Sequence, residues 1–247
     1  MRFRVIGVFC LFTIALAVCP ASAATCSNAS LKGVFGYFHG RPGASNAAVT
    51  VGQLTLNGLG KITSGLWTES LLGTISSGTT TGKYSIAKNC TGTIILNGES
   101  DGTDHYNIYV NAGGQMFQMI ENDTDSNQPG FGLAQGTVTC GLSGKKLALT
   151  TNLVGLTSGN LTDTVGQVTL DGRGNISGTE TFTLNGVVSK NTVTGTYTEN
   201  SNCTGTWQVS PKGGSATNFD MVVVNSGKEL LLIQIDSGTV TAGNAQE

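Results

Sequence analysis

The sequence predicts an all-β protein built as two tandem small antiparallel up-and-down β-barrels. Three observations carry that expectation. The chain repeats itself: Val51-Gly-Gln-Leu-Thr-Leu-Asn-Gly-Leu-Gly-Lys-Ile returns as Val165-Gly-Gln-Val-Thr-Leu-Asp-Gly-Arg-Gly-Asn-Ile, an offset of 165 − 51 = 114. Turn residues interrupt short apolar, β-branched runs throughout, a spacing that marks a sandwich or barrel. No segment has a convincing helical period. Short hairpin links favour a meander, and a meander loses its exposed edges by closing on itself. Two β-sandwiches, or one larger closed sheet of all the strands, are the alternatives.

The segments follow in order. Residues 1–23 read as a signal peptide: Arg2 and Arg4 precede the apolar run Val5 to Val18, and Ala21-Ser22-Ala23 is a small-residue cleavage site. The expected location is therefore secreted or periplasmic, with no transmembrane segment after signal removal, because the run is too short for a confident span and none follows it. Repeat 1 is assigned to residues 24–138 and repeat 2 to residues 139–247. Eight or nine short strands are expected in each, and nine segments can be drawn.

In repeat 1 they fall near Leu31–Phe38, Val49–Leu56, Lys61–Ser70, Leu72–Ser76, Gly82–Ala87, Thr91–Asn97, His105–Val110, Gln115–Glu121 and Gly132–Thr137. In repeat 2 they fall near Leu147–Val154, Thr164–Leu170, Asn175–Leu184, Val187–Lys190, Val193–Glu199, Thr204–Val209, Asn218–Val224, Glu229–Ile235 and Thr239–Gly243. Asn57-Gly58, Asp171-Gly172, Asn185-Gly186 and Asn225-Ser-Gly227 supply hairpin turns, since these residues accept positive φ. Met221 to Val224 and Leu230 to Ile235 are apolar on both faces. In a barrel one face meets the interior, so the other face should pack against the partner repeat.

Beyond the leader, the cysteines are Cys26, Cys90, Cys140 and Cys203. The spacings 90 − 26 = 64 and 203 − 140 = 63 suit duplication of one bridged unit, with disulfides Cys26–Cys90 and Cys140–Cys203. In the chain-entropy model each such loop contributes roughly 4 kcal/mol. A zinc site from the same four residues would be expected to show CxxC pairs, which are absent. The formal net charge is −2, with no cluster of Lys or Arg, which argues against nucleic acid and anionic membranes.

Each repeat thus opens with a cysteine, then carries Gly-x-Leu/Val-Thr-Leu-Asn/Asp-Gly-x-Gly-x-Ile, Gly-x-Tyr and Asn-Cys-Thr-Gly-Thr. That order resembles exported bacterial duplicated β-barrel proteins of unknown function, grouped with the calycin-like and allene oxide cyclase-like barrels. The resemblance covers both repeats and implies a calycin-like barrel. Its motifs are turn and disulfide signatures, and no catalytic residue carries over.

Motifs for chemistry are sparse. Gly98-Glu-Ser100-Asp-Gly102 matches a nucleophile elbow, but a strand rather than a helix follows, so a hairpin turn is expected. Asp123-Thr-Asp125-Ser-Asn127 starts like a calcium loop, yet Gln128 and Ala134 stand where glycine and a bidentate glutamate belong. Gly58-Leu-Gly60 and Gly172-Arg-Gly174 lack the helix a phosphate site needs. His39 and His105 are expected at the surface or rim. No cofactor, metal site or catalytic residue is expected.

The repeats differ most in their aromatic content. Repeat 1 holds the excess, and Tyr37, Trp67, Tyr84, Tyr109 and Phe117 are the candidate lining of a small-molecule cavity. A more heavily packed core is the competing explanation. The functional expectation is an exported non-enzymatic barrel protein binding a small apolar or aromatic ligand in repeat 1. The alternative is a structural or surface-interaction module with no ligand.

Overall fold

The computed structural model describes residues 25–42, 46–99, 102–124, 128–136 and 140–247. The leader and the expected boundary at 138/139 lie outside the described residues. Two closed eight-stranded antiparallel barrels follow one another along the chain. Barrel 1 contains β1 (Lys32–Arg41), β2 (Ala48–Asn57), β3 (Lys61–Leu71), β4 (Thr74–Ile86), β5 (Thr91–Glu99), β6 (Gly102–Val110), β7 (Met116–Glu121) and β8 (Pro129–Ala134). Barrel 2 contains β9 (Leu147–Thr157), β10 (Asn160–Leu170), β11 (Asn175–Leu184), β12 (Val187–Glu199), β13 (Thr204–Pro211), β14 (Thr217–Val224), β15 (Glu229–Gln234) and β16 (Thr239–Gln246). Each strand pairs with its sequence neighbours, and β1 closes on β8 as β9 closes on β16. Closure leaves neither sheet with a free edge to template further pairing.

Eight strands form in each barrel, within the expected eight or nine, because one of the nine segments drawn in each repeat runs on into the next. The segments drawn as Leu72–Ser76 and Gly82–Ala87 merge in the single strand β4, which runs from Thr74 to Ile86, and Val187–Lys190 and Val193–Glu199 belong to β12. Gly78 lies mid-strand in β4, and a Cβ there would stand 2.8 Å from Trp67 Cζ2. This glycine therefore makes room for a ring. The tightest links are two-residue turns with positive φ at both positions, as at Asn185 (47°) and Gly186 (82°). The Asn57-Gly58 link is longer: the Asn57 side chain accepts from the Leu59 and Lys61 amides at 2.8 and 3.0 Å. Asp171 does the same for Arg173 and Asn175, at 2.7 and 2.9 Å.

Alternation sets the cores. In barrel 1, Phe35, Leu54, Ile62, Ile94, Ile108 and Phe117 face inward, sealed at one end by Leu31 and the Cys26–Cys90 disulfide. Barrel 2 is built likewise around Leu149, Leu170, Trp207 and Leu232, with Cys140–Cys203 in the same place. These are the two disulfides the duplication implies, and such bonds persist in oxidising compartments. Among the described residues no helix is long and apolar enough to cross a membrane.

A third apolar cluster joins the barrels. Val49 and Val51 of β2 meet Val222 and Val224 of β14, Leu231 and Ile233 of β15, and Val240 and Ala242 of β16. The two-sided strands of repeat 2 are thus covered by repeat 1, as their composition requires. Gly36 permits a close approach in the apolar joint: a Cβ there would stand 2.4 Å from Val224 Cγ1 and 2.9 Å from Val222 Cγ1. Polar contacts rim the apolar joint. Thr68 Oγ1 donates to Asp220 Oδ2 at 2.7 Å, and Ser226 N donates to the Gln135 carbonyl at 2.9 Å. Gln53 Nε2 donates to the Asn202 carbonyl and to Gln135 Oε1.

Candidate functional site

The end of barrel 1 opposite its disulfide is lined by ionisable groups. Alternation along β1 sends Phe35, Tyr37 and His39 inward in succession. Along β6 it sends Asp104 and Tyr106 inward, and along β7 Phe117, Met119 and Glu121. Glu99 arrives differently. Ile94 and Leu96 face the interior, so strict alternation would turn Glu99 outward. The register shifts between Asn97 and Glu99, where Gly98 has φ 94°. This bulge inserts one residue and rotates the Glu99 carboxylate into the barrel. Glu69 of β3 is also buried at this end.

The groups form a connected network. Tyr37 Oη donates to Glu99 Oε1. His39 Nε2 lies 3.5 Å from Glu99 Oε2 and 3.3 Å from Tyr106 Oη, and His39 Nδ1 lies 3.2 Å from Gln128 Oε1. The rings pack as well: Tyr37 and His39 stack with centroids 5.9 Å apart, and His39 meets Tyr106 edge-on at 5.3 Å. Trp67 Nε1 donates to the Gly98 carbonyl at 3.1 Å, which holds the bulge from the β3 side.

The groups of the cluster shift one another's ionisation. Burial opposes charge on His39, but the hydrogen bond and charge of Glu99, with the charge of Glu121, outweigh it and raise the imidazole above its usual value. Burial likewise pushes Glu99 up, but the His39 hydrogen bond and charge, with hydrogen bonds from Tyr37 and Asp104, hold it below the usual carboxylate range. Burial first, and then the Glu99 charge, drive the Tyr37 phenol well up. The favoured state is thus imidazolium–carboxylate with a neutral phenol. Ionisable groups shifted by desolvation and specific partners are concentrated at functional sites.

The candidate ligand residues divide. Tyr37, Trp67, Tyr84 and Phe117 are buried in barrel 1. Tyr37 and Trp67 border the cluster. Tyr84 serves the opposite end, where its hydroxyl donates to the Leu31 carbonyl at 2.6 Å, and Phe117 packs on Phe35 at 5.8 Å. Tyr109 is on the outer surface, 63 % exposed. His39, expected at the rim, is 3 % exposed, because alternation from Phe35 carries it inside. In sequence Glu99 reads only as part of a turn, whereas the alternation Phe117-x-Met119-x-Glu121 already turns Glu121 inward.

His105 does point outward, and its Nδ1 lies 2.8 Å from Asp123 Oδ1. Asp104, Glu121 and Asp123 present oxygens within 4.8 Å of one another, a spacing a cation could bridge. Asp123 already accepts from His105 on both oxygens. Ser100 of the elbow-like motif and Asp125 and Asn127 of the calcium-like loop lie outside the described residues.

Barrel 2 has no counterpart of this network. The strand registers place Thr151 and Leu153 where barrel 1 has Tyr37 and His39, at an offset of 151 − 37 = 114. They place Thr217, Phe219 and Gln234 where barrel 1 has Asp104, Tyr106 and Glu121, at an offset of 219 − 106 = 113. One copy of the duplicated scaffold therefore carries the network and the other does not.

The fold and cluster define the class: a duplicated eight-stranded up-and-down barrel with a buried acid–base network in its first copy. No family model matches the chain, and no curated protein matches its sequence. Among solved structures it is similar to kievitone hydratase from Nectria haematococca, at 7 % identity and TM-score 0.29, covering 91 % of this chain and 93 % of that one. It is also similar to a putative AttH from Nitrosomonas europaea, at 9 % identity and TM-score 0.27, covering 87 % of this chain and 92 % of that one. Neither similarity bears on ligand or activity.

Proposed function

We propose that this is an exported binding protein in which barrel 1 recognises a small molecule and barrel 2 is its structural companion. The observation that carries this reading is the Tyr37–His39–Glu99–Tyr106 network, buried in one barrel and absent from the equivalent positions of the other. A network of this kind is expensive to bury, because each charge forfeits its hydration. A barrel serving only as a spacer is better stabilised by Leu153 and Phe219, which barrel 2 uses at two of the same positions. The ligand would carry an aromatic or apolar body, matching Trp67 and Tyr37, and a polar group able to exchange hydrogen bonds with phenol, imidazole and carboxylate.

The test is native mass spectrometry of the mature protein recovered from its own secretion pathway without detergent. A non-covalent adduct on the natural protein, lost in Glu99→Gln and retained in Thr151→Val, supports the reading. An adduct retained in Glu99→Gln places the ligand elsewhere. A clean protein mass favours a structural or surface-interaction module. One observation supports that second reading: the rings of Tyr37, His39 and Tyr106 already pack on one another.

A further inference from the structure

The joint between the barrels is directional. Barrel 1 contributes β1, β2, β3 and β8, whereas barrel 2 contributes β14, β15 and β16, with Leu156 of β9 at the edge. The two copies therefore meet through different faces, a heterologous contact of the kind that can propagate head to tail. The two faces share the closing strand, β8 or β16, which the joint already uses, and each barrel keeps the remaining strands of the other half on its free side. Barrel 2 presents its own β9–β10–β11 face, and barrel 1 its own β6–β7 face.

The registers identify the counterparts residue by residue. Val51, Gln53 and Thr68 of the joint correspond to Val165, Gln167 and Thr181 on the free face of barrel 2. Asp220, Val222 and Ile233 correspond to Asn107, Tyr109 and Ile120 on the free face of barrel 1. The shapes correspond too. A groove of about 400 Å³ at the joint is walled by Val51, Gln53 and Thr68 from one barrel and by Thr204, Asp220 and Val222 from the other. The first set recurs as the wall of a groove of about 810 Å³ on barrel 2, around Val165, Gln167 and Thr181. The second recurs as a groove of about 410 Å³ on barrel 1, around Thr91, Asn107 and Tyr109.

What differs is the apolar centre. Gly36, Phe38 and Val49 become Thr150, Asn152 and Asp163 on barrel 2, while Val224 and Leu231 become Asn111 and Gln118 on barrel 1. All five of these polar replacements are exposed. Bringing the free faces together in the same pose would press Thr150 where only a glycine fits and would bury the Asp163 carboxylate opposite apolar or amide groups, a costly desolvation. We propose that these faces are a latent second barrel–barrel joint whose partner is another copy of this chain, held open by polar residues at its centre. The tandem pair is thereby a terminated array, as in repeat proteins that end on a polar outer face. The inference rests on the joint alone and is independent of any ligand in barrel 1.

Sedimentation velocity on three chains tests it. The natural chain should stay monomeric at every concentration reached. One variant restores the barrel 2 half, with Thr150→Gly, Asn152→Phe and Asp163→Val. The other restores the barrel 1 half, with Tyr109→Val, Asn111→Val and Gln118→Leu. Each should remain monomeric alone, and an equimolar mixture should double in mass. Association of the natural chain would show the faces are not blunted. Self-association of either variant alone would show that the polar residues of the unrestored face do not hold the joint open, and would overturn the role given to them. A mixture that stays monomeric, with both variants unfolding cooperatively like the natural chain, would overturn the joint itself.

Discussion

The Tyr37 hydroxyl donates to the Glu99 carboxylate across the inside of barrel 1, joining β1 to the end of β5. The contact depends on two local facts of different kinds. Tyr37 points inward by simple alternation, and Glu99 points inward only because of the bulge at Gly98.

Replacing Tyr37 with Phe keeps the ring and removes the donor. A buried charged acceptor that loses a hydrogen bond costs about 1–3 kcal/mol. Thermal or denaturant unfolding of Tyr37→Phe should register that loss, whereas Thr151→Val, at the equivalent place in barrel 2, should stay within about 0.5 kcal/mol of the natural protein. Equal effects in the two barrels would contradict the special status of the network.

The His39–Glu99 pair makes stability depend on pH in both directions. His39 is raised from 6.5, so its contribution is complete below that value and is lost as pH rises through the higher folded value. Glu99 is lowered from 4.5, so its contribution is complete above that value and is lost as pH falls through the lower folded value. The pair therefore contributes fully between about 4.5 and 6.5. A melting-temperature profile should be highest in that window, and Glu99→Gln should flatten both flanks.

Gly36 controls how closely the barrels approach. Gly36→Ala would place a methyl 2.4 Å from Val224 Cγ1. Overpacking of a tight apolar contact costs about 1–3 kcal/mol. Hydrogen exchange should speed up at the amides of Val222 and Val224 more than at Ile94 or Ile108 inside barrel 1. A uniform change would mean the substitution acts on the barrel and not on the joint.

Each disulfide should protect its own barrel. Cys26→Ala with Cys90→Ala opens a loop spanning 64 residues and is expected to cost about 2–5 kcal/mol. Hydrogen exchange should show the loss first in β1–β8, with β9–β13 less affected. The reciprocal pattern is expected for Cys140→Ala with Cys203→Ala.

The sequence by itself determined the duplication, the all-β class, the disulfide pairing and the covering of the two-sided strands of repeat 2. Each of these is written in local pattern: a repeat offset, a turn spacing, an even pair of intervals, an uninterrupted apolar run. It also held the inward alternation that places His39 behind Phe35 and Tyr37, although a lone histidine near a glycine-rich turn reads equally well as a rim residue. Other features were decided only by the tertiary structure. The room Gly78 leaves for Trp67 in the middle of the continuous strand β4 is a contact between neighbouring strands and has no sequence period. The bulge that turns Glu99 inward depends on how β5 registers against β6, and a shift of one residue exchanges inside for outside. Tyr109 shows the converse, for it is aromatic and sits among inward residues in sequence, yet alternation from Tyr106 and Ile108 faces it to solvent. Composition could count the aromatic residues of repeat 1, but only closure of the barrel could bring six of them inside and bring a histidine, a glutamate and two tyrosines within reach of one another.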